Sequence, residues 1–317
     1  MMKRLIALML TLGGLLSSYG QTVSFQIQDG LNNSEIKEAA EKNISLLLTE
    51  INSACSENRP LQLDSIPMTK DARRLLEGLW SHYAHFSCIF GQNISRCLNS
   101  TRNYQIREIY VTMHPIEGVS FVDEKERELV VCFSNEGILV SVYIGLEGSL
   151  LNEAISRNSD VTDAGRKLSI IQFLERYINY CYSKDVESMA DLYVPDGLHV
   201  YRDSIGRYVN PQRSKISEER KEYFEVVKQQ FCQQGSIHIF FDELEIMRHI
   251  AKGNWYGVHI CQHLVSPSFE DAHYLFLLWQ FTSEDEFVHE IVWQPGIDDG
   301  KPIDKEDRVG ISDFFIE

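Results

Sequence analysis

Residues 255–265 read WYGVHICQHLV, residues 273–281 read HYLFLLWQF, and residues 287–294 read FVHEIVWQ. Each stretch is rich in β-branched and aromatic residues and long for a strand. With the segment before them they predict four strands: roughly Ile237–His249, Trp255–Val265, His273–Phe281 and Phe287–Gln294. Upstream the period changes. Ile170, Phe173, Leu174, Tyr177, Ile178 and Cys181 recur at three-to-four spacing, one face of a helix. A shorter helix over Val186–Tyr193 is ended by Pro195-Asp196-Gly197, and His199–Tyr201 follows as a short strand. Residues 203–214 form a loop. A third helix follows Ser217 and buries Tyr223, Phe224, Val227 and Phe231. The tail alternates at Val309, Ile311, Asp313 and Phe315, which predicts a last edge strand. Helices followed by a meander of long strands define an α+β class.

The first half has the same order. Ile36, Ala40, Ile44, Leu47, Leu48 and Ile51 mark one helix, broken at Asn58-Arg59-Pro60. Thr69 is the expected N-cap of a second helix, with Asp71 in its first turn and Ala72, Leu75, Leu76, Leu79, Trp80 and Tyr83 on one face. Period-two alternation then begins at Tyr104. Strands Glu128–Phe133 and Ile138–Ile144 flank the turn Ser134-Asn135-Glu136-Gly137. The expected organisation is a leader over 1–20, an irregular segment over 21–33, an α+β domain over 34–147, a polar junction over 148–164 with a short helix at Leu150–Ser156, and a second domain over 165–317.

Met1–Gly20 has the make-up of a secretory signal: Lys3 and Arg4, an apolar run from Leu5 to Leu16, then Ser18 and Gly20 before a cut at Gln21. The expected location is therefore periplasmic or secreted. No later stretch is apolar for long enough to span a bilayer. Composition is that of a packed globular protein, 44% hydrophobic and 24% charged. Losing Lys3 and Arg4 takes the net charge from −16 to −18. So acidic a surface repels phosphate backbones, and no basic cluster offsets it, so nucleic acid is not an expected partner. The seven cysteines include no CxxC pair and sit in apolar patterns, which reads as small buried hydrophobes rather than a disulfide framework.

The helix Ile170–Tyr182, the pairs Lys184-Asp185 and Asp196-Gly197, and the run Ala190-Asp191-Leu192-Tyr193 resemble the start of the nuclear transport factor 2-like fold. The block Trp255-Tyr256-Gly257-Val258, Gln262, Ser266, Tyr274-Leu275-Phe276-Leu277, Trp279, Trp293-Gln294-Pro295 and Ser312-Asp313-Phe314 resembles a group of exported bacterial proteins of unknown function. Leu79-Trp80, Tyr104-Gln105-Ile106-Arg107 and Leu129–Ile144 extend that likeness into the first half. The resemblance implies a cone, helices packed on a curved antiparallel sheet around a cavity, twice in tandem. It also implies a sheet face that a second copy can cover in a homodimer. A basic residue expected shortly before Trp-Gln-Pro is absent, since Ile291 and Val292 stand there. Members of this superfamily include isomerases, dehydratases and hydrolases as well as pure binding modules, so fold alone does not fix function.

Three constellations carry chemistry. His259, Cys261 and His263 share one strand face, and a simple hairpin over 266–272 would bring His273 beside His263 there. Imidazole and thiolate suit zinc or copper. Because i and i+2 lie about 6.5–7 Å apart along a strand, all can ligate only with a bend or as a partial set. The competing reading is a mixed face of half-exposed histidines around a buried cysteine. Acid–base candidates are Asp242, Glu290 and His259, with Glu243, Glu245 and His289 nearby. Tyr177, Tyr193, Tyr201, Tyr256, Trp279 and Trp293 are candidates for a ligand pocket, against the plain reading of core rings, as is Trp255. No phosphate loop, nucleophile elbow or HExxH is present. The expectation is an exported, non-catalytic module for a small ligand or a protein partner, without a cofactor. The alternatives are a cavity enzyme working through Asp, Glu or His on a small apolar substrate, and metal binding through the strand histidines.

Overall fold

A computed structural model describes residues 22–94, 97–99, 103–116, 125–156, 161–193, 198–202, 216–282, 286–298 and 301–314. The leader, the turn at 195–197, the loop 203–214 and Phe315 lie outside these residues.

Helix α1 (Ser34–Glu57) starts where the Asn33 side chain accepts from the amides of Glu35 and Ile36, and it stops at Asn58, whose φ of 49° is left-handed. Helix α2 (Lys70–His82) is capped by Thr69, which accepts from the Ala72 amide. Both bury their apolar stripes on a sheet made of β2 (Ala84–Cys88), β5 (Tyr104–Pro115), β6 (Lys125–Phe133) and β7 (Leu139–Ile144), with β4 (Cys97–Asn99) also on β5. Residues 21–33 are not wholly irregular. Ser24–Ile27 form β1, paired in parallel with β3 (Gly91–Ile94), and Val23, Phe25 and Ile27 are buried. The alternation was present but short.

The turn between β6 and β7 ends at Gly137, with φ +74°. A Cβ there would stand 2.6 Å from the Ala39 Cβ, and the Gly137 carbonyl accepts from the Asn43 amide at 2.8 Å. Gly137→Ala should therefore cost roughly 2 kcal/mol in equilibrium urea unfolding, strain and crowding together. A loss below about 0.5 kcal/mol would show that the turn repacks freely.

The stretch expected to be a junction is largely helical. Helix α3 (Gly148–Ser156) leads to α4 (Val161–Ser183), a long helix that touches both halves. Toward the first half, Asn179 bonds both backbone groups of Ile144, at 2.9 Å and 2.7 Å, standing in for a further strand beside β7. Arg107 is turned inward by a bulge between Ile106 and Ile109, in which Glu108 has φ 66°. Its guanidinium lies 2.7 Å from both Glu128 and Glu175, and Glu175, 0% exposed, also accepts from the Leu146 amide. Tyr83 stacks on Tyr182 at 4.0 Å, and its hydroxyl meets His238 Nδ1 at 3.1 Å.

The second sheet runs in the order β10 (His238–Arg248), β11 (Trp255–Ser266), β12 (Phe269–Phe281), β13 (Glu286–Pro295), β8 (His199–Arg202), β9 (Ile216–Glu219). Helices α4, α5 (Val186–Ala190) and α6 (Arg220–Gln233) put apolar residues into the core on its inner face. The result is α+β: helices on a curved antiparallel sheet, in which β13 and β8 pair in parallel. On the outer face, Val309, Ile311 and Phe314 pack against Tyr201, Phe276, Leu278 and Val292. The tail is not an edge strand where described, but 3-10 turns at Lys305–Asp307 and Ile311–Asp313. The Gln294 side chain is the reason. It accepts from the Val309 amide at 2.7 Å and donates to the Asp307 carbonyl at 3.1 Å, taking the place of a partner strand. Among the described residues no helix is long and apolar enough to cross a membrane.

Candidate ligand pocket

Between α4, α5, α6 and the inner face of the second sheet lies a cavity of about 340 Å³. Its walls are mostly apolar: Tyr177 and Cys181 from α4, Met189 from α5, Tyr223, Val227 and Phe231 from α6, and Ile239, Leu264 and Trp293 from the sheet. The helical stripes read from the sequence thus do two jobs. They fill the core, and where they fall short of the sheet they leave room for a small molecule.

Four polar residues line it: Gln230, Asp271, His273 and Gln294. His273 Nε2 is 3.3 Å from the Gln262 amide nitrogen, and its Nδ1 is 3.7 Å from an Asp271 oxygen. The ring meets Trp293 edge-on at 4.4 Å between centroids. Gln262 is wholly buried. Gln294 spends both ends of its amide on the tail backbone. His273 is therefore engaged from within the protein, whereas the Gln294 side chain turns to the tail on the outer face of the sheet. The thiol of Cys181 is pushed above the usual range by burial, so it presents a neutral wall.

Of the six aromatic residues proposed from sequence, the structure brings Tyr177 and Trp293 to this cavity. Tyr193 packs on Phe173 and Phe224 in the core. Tyr256 is fully buried and donates to Asp163 at 2.9 Å. Trp279 packs edge-on against Phe173 at 4.8 Å. Tyr201 lies on the outer face. Tyr223 and Phe231, which sequence reasoning put only in a core stripe, are pocket walls.

The acid–base candidates do not converge. Asp242 is an exposed residue 2.6 Å from His263. His259 lies against Phe276 on the outer face, where burial lowers its pKa to about 4. Glu290 is opposite Leu278 on the same face, and burial raises its carboxyl to about 7, with the Tyr201 hydroxyl opposing. That is a strong perturbation, but it lies across the sheet from the cavity.

The metal candidates read from sequence are only partly brought together. The hairpin turn is Pro267-Ser268, so β12 begins at Phe269 and His273 pairs with Gln262, not beside His263. Strand parity then puts His273 on the inner face, away from Cys261 and His263. All seven cysteines are free thiols, with Cys97, Cys132 and Cys181 buried, Cys232 exposed and the rest intermediate.

Fold and pocket together define a helix-roofed, curved-sheet protein with an apolar cavity. No family model and no curated protein matches the chain. Among solved structures it is similar to Bd1075 of Bdellovibrio bacteriovorus, at 14% identity over 50% of this chain and 47% of that one, with a TM-score of 0.34. The chain thus spans about half the length of that protein. It is similar to a nuclear transport factor 2-like protein of unknown function from Pseudomonas putida KT2440, at 14% identity over 44% of this chain and 93% of that one, TM-score 0.34. Another such protein, from Shewanella oneidensis MR-1, matches at 10% identity over 41% of this chain and 98% of that one, TM-score 0.32.

Proposed function

We propose that this chain is an exported, non-catalytic binding module that holds a small, mostly apolar ligand in the cavity under α4–α6. One observation carries the reading. The cavity has room for a small molecule, its walls are mostly apolar, and His273 among its polar residues is already engaged by Gln262. Walls of this kind recognise shape and apolar surface. A general base needs a lone pair aimed at the substrate. Support for export comes from the pattern of Met1–Gly20, and support for a tandem of two cones from the repeated order of helices and strands.

Native mass spectrometry of the protein isolated from its own cells tests this. The expected result is excess mass that vanishes on denaturation and is missing from Val227→Trp, which fills the cavity. A bare chain that also fails to bind the apolar probe 1-anilinonaphthalene-8-sulfonate in its folded state would overturn it. A second reading, a cavity enzyme, is favoured by the approach of Asp271 to His273 at 3.7 Å. It expects turnover that His273→Ala abolishes while apolar probe binding persists.

A further inference from the structure

The outer face of the second sheet carries a cluster that the cavity does not use. Strand β10 bulges between Phe241 and Glu243, so Asp242 is an extra residue opposite β11. A bulge of this kind re-aims a side chain, and here it brings the Asp242 carboxylate to the face that carries Cys261 and His263. One ligand atom from each of Asp242, Cys261 and His263 lies within 4.8 Å of the others. Asp242 Oδ2 is 2.6 Å from His263 Nε2, and Cys261 Sγ is 3.8 Å from that same nitrogen. His263 is fixed by stacking on Phe240, with centroids 4.7 Å apart and planes at 6°. The neighbouring carboxylate of Glu243 is drawn off by Arg308 at 2.7 Å.

We propose that Asp242, Cys261 and His263 form a zinc site of three protein ligands, with water completing a tetrahedron. Zinc takes mixed oxygen, sulfur and nitrogen donors at about 2.0–2.3 Å, which places donor atoms roughly 3.3–3.6 Å apart. The Asp242–His263 and Cys261–His263 separations, 2.6 Å and 3.8 Å, straddle that range. The bulge supplies what a regular ladder lacks. Along β11 alone, Cys261 and His263 offer two donors, and the third comes from the next strand. Soft thiolate with imidazole favours zinc over the hard cations magnesium and calcium. Zinc takes Cys261 as the thiolate, so binding releases the thiol proton to solvent. His259 and His273 take no part. The site is independent of the cavity, which lies across the sheet.

The test titrates the full chain, reduced, with zinc and separately with cobalt(II). A single equivalent of zinc is expected, with affinity falling roughly tenfold or more in Cys261→Ser and in His263→Ala. Cobalt is expected to give a thiolate-to-metal charge-transfer band that Cys261→Ser abolishes and Cys232→Ser and His259→Ala leave intact. All of these side chains are at least partly exposed, and unchanged circular dichroism confirms the fold of each variant. A cobalt complex without the thiolate band would overturn the proposal. So would zinc affinity undiminished in the Cys261→Ser/His263→Ala double variant, or a loss in His259→Ala equal to that in His263→Ala.

Discussion

Arg107→Met is expected to lower stability by about 3–5 kcal/mol in equilibrium urea unfolding, the cost of leaving a buried charge without its partner. Glu175 is 0% exposed and Arg107 only 7%. Arg107 reaches Glu175 through two nitrogens, at 3.2 Å and 2.7 Å, and Glu128 through one, at 2.7 Å. Removing the guanidinium strands the Glu175 carboxylate inside the protein. The double variant Arg107→Met/Glu175→Leu is expected to recover most of the loss, because both charges then go together. It does not recover everything, since the Leu146 amide loses its acceptor. A single-variant loss below about 1 kcal/mol would mean that solvent reaches the pair.

The second large effect is a dependence of stability on pH. The Glu290 carboxyl is raised to about 7 by burial. A raised carboxyl means that the native state holds its proton more tightly than the unfolded chain does. That contribution is complete below the ordinary carboxylate range and is lost as pH climbs through about 7. Its ceiling is about 3 kcal/mol, and partial exposure brings the expectation to about 1–2 kcal/mol. Glu290→Gln keeps the shape without the charge, so it should be the more stable form at pH 8 and match the parent at pH 4. His238 and His259 act in the opposite direction. Burial lowers each to about 4, with Arg127 and Lys125 adding to the effect at His238. Their stabilising contribution is present above the ordinary histidine range and fades as pH falls toward about 4. The variant difference, not the parent curve, isolates Glu290. Parallel curves for the two proteins would refute the assignment.

Elements with a strong period were legible. The stripe from Ile170 to Cys181, the Thr69 cap and the turn at Gly137 are where the residues put them. Register was not. Among the described residues four register shifts, after Ile106, Cys132, Phe241 and Leu278, change pairing by local backbone geometry that leaves no mark in hydrophobic alternation. The turn Pro267-Ser268 carries no glycine, so nothing in the residue pattern marks the start of β12, and pattern alone puts His273 on the wrong face. Of the proposed pocket rings, Tyr177 and Trp293 line the cavity, whereas Tyr256 and Trp279 are taken by contacts with Asp163 and Phe173 that only the tertiary arrangement creates. The alternation at Val309 and Ile311 is real, but a glutamine side chain has the place of the strand it would need.

Helix α4 belongs by sequence to the second half, yet it holds the acceptors that Arg107, Ile144 and Leu146 require. During synthesis those acceptors arrive last. A nascent chain that has reached residue 147 has its first sheet written but not closed, with a cation and two backbone amides waiting for Glu175 and Asn179. Completion of the first half is thereby timed by the second.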